Sequence, residues 1–248
     1  PGPGMIQVPT LADVGLLPAE STGGEKIGYL RITQFGEKTA GEFDQALDRL
    51  AREGATGMIL DLRDNPGGLV DAAVEVVARF VAPGTLVVAT EGRKGSGIRN
   101  EYLAGESSRK VRWPTAVLVN GNTASAAEIV AGALQDLGKA VVIGETTFGK
   151  GSVQTVQPVA AVAPAVAVRL TTAHYTTPSR RKIHGVGIDP DIIARMTAAE
   201  EKALFESRTP GLRKPGQVTM TVVDEPLSRA LDLLRGWKVA TRRVAAVR

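Results

Sequence analysis

Residues Thr115 to Gly138 read TAVLVNGNTASAAEIVAGALQDLG, and the change of period inside this stretch decides the fold. TAVLV is a short apolar run suited to a strand covered on both faces. Asn120-Gly121-Asn122 ends it, and Thr123 opens an amphipathic helix that Gly138 closes. The same strand-then-helix unit recurs upstream: GMILDL (57–62) reads as a buried strand, Arg63 to Gly68 as a turn, and Leu69 to Phe80 as a helix. Before it, Gly28 to Thr33 alternates like a strand. Apolar Phe43, Ala46, Leu47 and Leu50 then mark a helix starting at Thr39 or Gly41. Such units set parallel strands side by side and gather loops at their carboxyl ends. The fold class is therefore α/β.

Further strands are expected at Thr85 to Thr90 and Ile98 to Tyr102, joined by the Gly92 to Gly97 turn, and at Ala140 to Ile143. Gly151 to Thr172 is β-like, with a turn around Pro158 to Pro164. The tail holds the loop PSRRKIHGVGIDPD (178–191) and a helix from Glu225 to Trp237. Residues 1–25 read as a loose entry with a short strand at Ile6 to Val8, and no internal repeat is visible. The opening PGPG is set aside as a linker.

The 248 residues suffice for one large domain, or one domain with a small satellite. Hydrophobic residues make up 43% but aromatics only 4%, so the core rests on Ala, Val, Leu and Ile. The net charge of +4 is local: Arg109, Lys110 and Arg112, then Arg180, Arg181 and Lys182, then Arg242 and Arg243. None of these is a basic run interleaved with aromatics, as a nucleic-acid groove requires. They read as solvated surface, with at most a loose attraction to an anionic membrane surface. The absence of cysteine excludes disulfides, thiolate metal sites and a Cys nucleophile. No run nears the roughly 18 apolar residues of a membrane span, and no signal peptide is present.

Three strand-end segments carry chemistry. In DLRDNPGG (61–68), Pro66 fixes a turn and Gly67-Gly68 opens backbone conformations closed to other residues. Its amides can serve as oxyanion donors; the bland alternative is a tight turn without a ligand. In NGNTASAAE, Ser125 falls in the first helical turn, and the Ala126 amide is a second donor. Thr123 or Ser125 could equally cap the helix. In GETTFGKGSVQ (144–154), Lys150 stands between two glycines at a strand end. As a neutral amine it could take a proton from serine, and burial among Ala and Val would favour that form. It could also be a surface lysine in a hairpin turn. Taken singly, each bland reading is the commoner one.

Gly144 to Lys150 also fits the start of a phosphate-binding loop, G-x-x-x-x-G-K. Gly151 stands where Ser or Thr must hold magnesium, and the sequence continues as a strand instead of a helix. Both failures argue against nucleotide binding. His174 and His184 leave a histidine base open. With Asp189 and Asp191 they match no metal motif.

Together the blocks GYLRITQF, MILDLRDNPGGLV, VLVNGNTASAAEIVAGALQD, VVIGETTFGKGSVQ and LTTAHYTTPSRRKIHGVGIDPD, in order from Gly28 to Asp191, resemble the carboxyl-terminal processing peptidases, or tail-specific proteases. The resemblance places the family's nucleophile on Ser125 and its lysine base on Lys150, 150 − 125 = 25 residues on. It places the lysine-supporting glutamine on Gln154 and the oxyanion donors on Gly67, Gly68 and Ala126. Two positions depart: Arg180 stands where most members have Gly, and His184 where Gln is common.

The resemblance implies a crotonase- or Clp-like spiral ββα core, with a small mixed α/β cap from the terminal segments. Residues 26–191 would form the catalytic core. Residues 1–25 would be a linker and N-terminal strand region, and 192–248 a C-terminal segment whose helix packs on the core. The family's usual PDZ domain has no counterpart in the sequence. Also implied are a serine endopeptidase acting near the carboxyl terminus of protein or peptide substrates, no cofactor or metal, a periplasmic or cell-envelope location, and a possible homodimer. The rivals are a non-catalytic protein binding peptides or hydrophobic ligands on the same scaffold, and a crotonase-type acyl-CoA enzyme.

Overall fold

The computed structural model describes residues 9–93, 95–158, 167–208 and 223–246. In chain order the elements are β1 (Leu11–Leu16), α1 (Ala19–Thr22), β2 (Ile27–Ile32), α2 (Thr39–Glu53), β3 (Gly57–Asp61), α3 (Val70–Ala78), β4 (Leu86–Gly92), β5 (Arg99–Leu103), β6 (Thr115–Val119), α4 (Ala126–Asp136), β7 (Val141–Gly144), β8 (Ser152–Pro158), β9 (Ala167–Thr176), β10 (Ile192–Ile193), α5 (Ala198–Arg208) and α6 (Glu225–Ala246). Six strands form one sheet in the order β1-β2-β3-β6-β7-β10. Only β1 runs antiparallel within it. The other four form an antiparallel sheet in the order β5-β4-β9-β8.

Side-chain alternation sorts the larger sheet into two cores. Leu30, Ile32, Met58, Leu60, Val117 and Val119 face α2, α3 and α4, where they meet Phe43, Leu50, Val77, Ile129 and Leu134. Ile27, Tyr29, Ile59, Ala116, Leu118 and Ile143 face the opposite side and meet Ala230, Leu231 and Leu234 of α6. The parallel strands are therefore covered on both faces, as their continuous apolar runs require. Among the described residues no helix is long and apolar enough to cross a membrane.

Beneath the end of β3 lies a buried ionic cluster. Arg63 bridges Asp61 at 2.6 Å and Asp224 at 2.7 Å, and Arg208 reaches Asp61 at 3.0 Å. The Tyr29 hydroxyl donates to Asp61 at 2.6 Å. Residues from the end of α5 and the entry to α6 are thereby tied to the strand that leads into the DNPGG turn.

Several boundaries differ from the sequence expectations. The strand at Ile6 to Val8 and the turn after Pro158 lie outside the described residues. β1 escaped notice because Asp13, at φ 55°, and a register shift between Ala12 and Gly15 break its alternation. Helix α4 starts at Ala126, not Thr123. The Thr123 hydroxyl donates to Leu62 O at 2.9 Å and the Ala124 amide to Asn65 O at 2.9 Å, so both hold the preceding loop against the turn after β3. Helix α5 was not read at all, although Thr197 and Glu200 exchange cap hydrogen bonds at its start. Helix α6 continues past Trp237 to Ala246.

Candidate active site

At the carboxyl ends of β3, β6 and β7 three loops interlock. Asp64, itself at φ 59°, accepts from the side-chain amides of Asn120 and Asn122, each at 2.9 Å. Buried Asn65 donates from Nδ2 to Ile32 O and accepts the Gly67 amide at Oδ1, both at 2.8 Å. The DNPGG turn is thus locked to β2 and to the loop before α4.

Gly67 and Gly68 are demanded by geometry. Their φ values are 99° and 141°, where side-chain-bearing residues are strained. A Cβ on Gly67 would stand 2.6 Å from Ser125 Cβ and 2.9 Å from the Ala126 nitrogen; one on Gly68 would overlap Phe35 O at 2.0 Å. The turn therefore lies directly against Ser125. Its amides are not equivalent. The Gly67 N–H is committed to Asn65, whereas those of Gly68 and Ala126 have no hydrogen-bond partner among the described residues. Of the three expected donors, the Gly67 amide is thus engaged by Asn65 and the other two have no partner among the described residues.

Ser125 does not sit in the first helical turn as expected. It precedes it, as the residue capping α4, with φ 57° and ψ −119°. Such a conformation is costly for a residue with a side chain and persists only where its surroundings enforce it. The enforcing group is Glu128. Its fully buried carboxylate accepts the Ser125 amide at 2.8 Å through Oε2. The same Oε2 accepts the Lys150 amide at 2.8 Å, while Oε1 takes the Gly149 amide at 2.7 Å and the Thr147 hydroxyl. One carboxylate thus fastens the serine elbow to the lysine loop. Phe148 adds a bond from its amide to Thr123 O at 3.0 Å.

Sequence reasoning missed Glu128 and Thr147 as site residues. The available signal was the Ser-x-x-Glu spacing of a capping box, which announces a helix start but says nothing of residues 147–150.

Lys150 immediately precedes Gly151 and β8, one of the two edge strands of the smaller sheet. Gln154 lies on β8, on the same face as Ser152. Both Lys150 and Gln154 are exposed. The expected burial of the lysine among Ala and Val is therefore not present, because an edge strand leaves one side to solvent. β8 also settles the phosphate-loop resemblance, since a strand and not a helix follows Lys150. Among the described residues no group of three or more His, Asp or Glu side chains is placed to hold a metal.

The chain matches Peptidase family S41 over residues 26–194. The carboxy-terminal-processing protease of Bartonella bacilliformis is 44% identical over 180 residues, covering 71% of this chain and 40% of that protein. The carboxy-terminal processing protease CtpA of Bacillus subtilis is 42% identical over 184 residues, covering 73% of this chain and 38% of that one. The chain thus spans about two fifths of the length of these relatives. Among solved structures, the photosystem II D1 C-terminal processing protease superposes with a TM-score of 0.66 at 34% identity, covering 76% of this chain and 49% of that one. The matched residues contain every strand of the parallel sheet from β2 to β10 and all three interlocked loops: the chain belongs to peptidase family S41, the family of the carboxy-terminal processing proteases.

Proposed function

We propose that the protein is a serine endopeptidase in which Ser125 is the nucleophile, Lys150 the general base and Gln154 the residue that steadies the lysine amine. The reading is supported above all by the strained Ser125 elbow, set between two amides that have no partner among the described residues and fastened through Glu128 to the Lys150 segment. Lys150 removes the hydroxyl proton as Ser125 Oγ bonds to the scissile carbonyl carbon. The amides of Gly68 and Ala126 take the oxyanion, and the proton passes to the departing amine as the C–N bond breaks. Water then attacks the acyl-enzyme by the same route, releasing the new carboxyl terminus and restoring the serine.

Lys150 is exposed, and a peptide laid along β8 would cover it and strip water from its amine. We place cleavage near the carboxyl terminus of protein substrates, and the enzyme in the bacterial periplasm or cell envelope, where lack of cysteine is no handicap. The test is cleavage of fluorogenic peptides with free or amidated carboxyl ends. The reading predicts turnover that Ser125→Ala and Lys150→Ala each abolish, with preference for the free end. Unchanged turnover by Ser125→Ala would overturn it.

A further inference from the structure

A cavity of about 470 Å³ lies on the smaller sheet, and the serine–lysine reading gives it no task. Arg93, Lys182, Glu91, His174 and Thr171 are among the residues that line it. Ala173 and Tyr175 of β9 face the core, which turns His174 to the opposite, outer face. Register joins that face to the site. Ser152 of β8 pairs with His174, and Gln154 pairs with Thr171; directly paired residues share a face. The face of β8 that carries Gln154 therefore continues across β9 into the cavity.

The two ends of the cavity are marked by cations. Lys182 bridges Thr176, and the adjacent Tyr175 donates to Gly151 O at 2.7 Å. The Lys182 end is thus level with the Lys150 segment. Arg93 stands one residue past Gly92, which pairs with Ala173. About four residues of β9 separate these levels, roughly 13 Å, the span of about four extended residues of a peptide.

Charge in this region is unbalanced. Glu91 faces Arg180 at 3.7 Å, while Glu101 meets Arg180 at 2.6 Å and Arg99 at 3.1 Å. Those two carboxylates are matched by two guanidinium groups. Arg93 and Lys182 are exposed, and among the described residues neither side chain has a hydrogen-bond or ion-pair partner. A single surface cation needs no partner. Here two line one cavity beside the strand that follows the proposed base, and their field favours an anion. The anions that an unmodified polypeptide offers are carboxylates, at its terminus and on Asp and Glu.

We propose that this cavity binds a carboxylate of the substrate, within about four residues of the scissile bond, with Arg93 and Lys182 as its cationic contacts. The proposal rests on the reading of the protein as a peptidase with Lys150 as its base. Arg93 offers a planar fork that can take both carboxylate oxygens, and Lys182 adds a point charge.

Binding is measured on Ser125→Ala, which keeps peptides whole, by NMR titration of the backbone amides of Gly92, Ala173 and Lys182. Three acetylated probes are compared: tetraalanine with a free carboxyl end, its carboxyl amide, and that amide with one alanine replaced by glutamate. At least one carboxylate-bearing probe should shift those amides and bind at least about fivefold more tightly than the neutral amide. Adding Arg93→Gln and Lys182→Gln should remove the advantage. Adding Arg52→Gln and Lys202→Gln, which removes the same charge elsewhere, should preserve it. An advantage confined to the free end assigns the cavity to the substrate's terminus, and one confined to glutamate assigns it to acidic side chains; an advantage in both shows that it takes either. Equal binding of the three probes, an advantage that survives the loss of Arg93 and Lys182, or one lost equally in the control variant overturns the proposal. If Ser125→Ala still cleaves peptides at the wild-type rate, the serine–lysine reading fails separately. The uncleaved neutral and charged probes are then compared as competitors of turnover, by the same criteria.

Discussion

The Glu128 carboxylate receives four donors, and all four belong to the segments that carry Ser125 and Lys150. A glutamine there keeps one acceptor oxygen and turns an amide NH₂ toward the remaining donors. Glu128→Gln should therefore cost about 3 kcal/mol of stability in denaturant titration. It should also slow labelling of Ser125 by at least about tenfold at a pH where the variant is folded. Unaltered labelling would show that the elbow holds without the carboxylate. Ser125 and Lys150 could be singled out in the sequence because the resemblance places the family's nucleophile and base on them. Glu128 was quoted in the same block, yet its role was not legible: three of its four partners lie 19 to 22 residues downstream (147 − 128 and 150 − 128), and only folding brings them to it. The division of labour in the DNPGG turn was equally hidden, because it depends on which amide Asn65 captures.

At the scale of elements, β2, β3, β6, α2, α3 and α4 were legible within a few residues, since each carries a buried run or a clear amphipathic face. The segments that failed are those whose pattern is interrupted or weak: β1 with its bulge, two-residue β10, and α5, which buries no residue fully. Helix α6 was read only over its first part, yet that part forms the second core. Ala230, Leu231 and Leu234 cover Ile59, Ala116, Leu118 and Ile143, which would otherwise face water. Leu234→Ala should cost about 2–5 kcal/mol in denaturant titration. A loss of under about 0.5 kcal/mol would show that α6 contributes little to the fold.

For the molecule as a whole, the Asp61 cluster contributes to stability in a pH-dependent way. Burial alone would raise the Asp61 carboxyl, but Arg63, Arg208 and the Tyr29 hydroxyl together hold it well below the usual carboxylate range. Its stabilising contribution is therefore present above the unfolded value near pH 4 and is lost only as pH falls further. Tyr29 is displaced upward, by burial first and by Asp61 next. Its contribution is complete below about pH 10 and drains as pH rises beyond. Asp61→Asn leaves two guanidinium groups with less countercharge and should cost about 3–5 kcal/mol at pH 7. It should also flatten the fall in stability below pH 4, measured by thermal unfolding across pH. A variant as stable as wild type would show that the cluster does not anchor the C-terminal segment.

The central claim is that Ser125 is made nucleophilic by Lys150. It is tested most directly by treating wild type and Lys150→Ala with a fluorophosphonate probe and locating the adduct by peptide mass spectrometry. The account predicts one adduct, on Ser125, formed at least about a hundredfold more slowly in Lys150→Ala. Equal labelling of both proteins, or an adduct on any other residue, would contradict it.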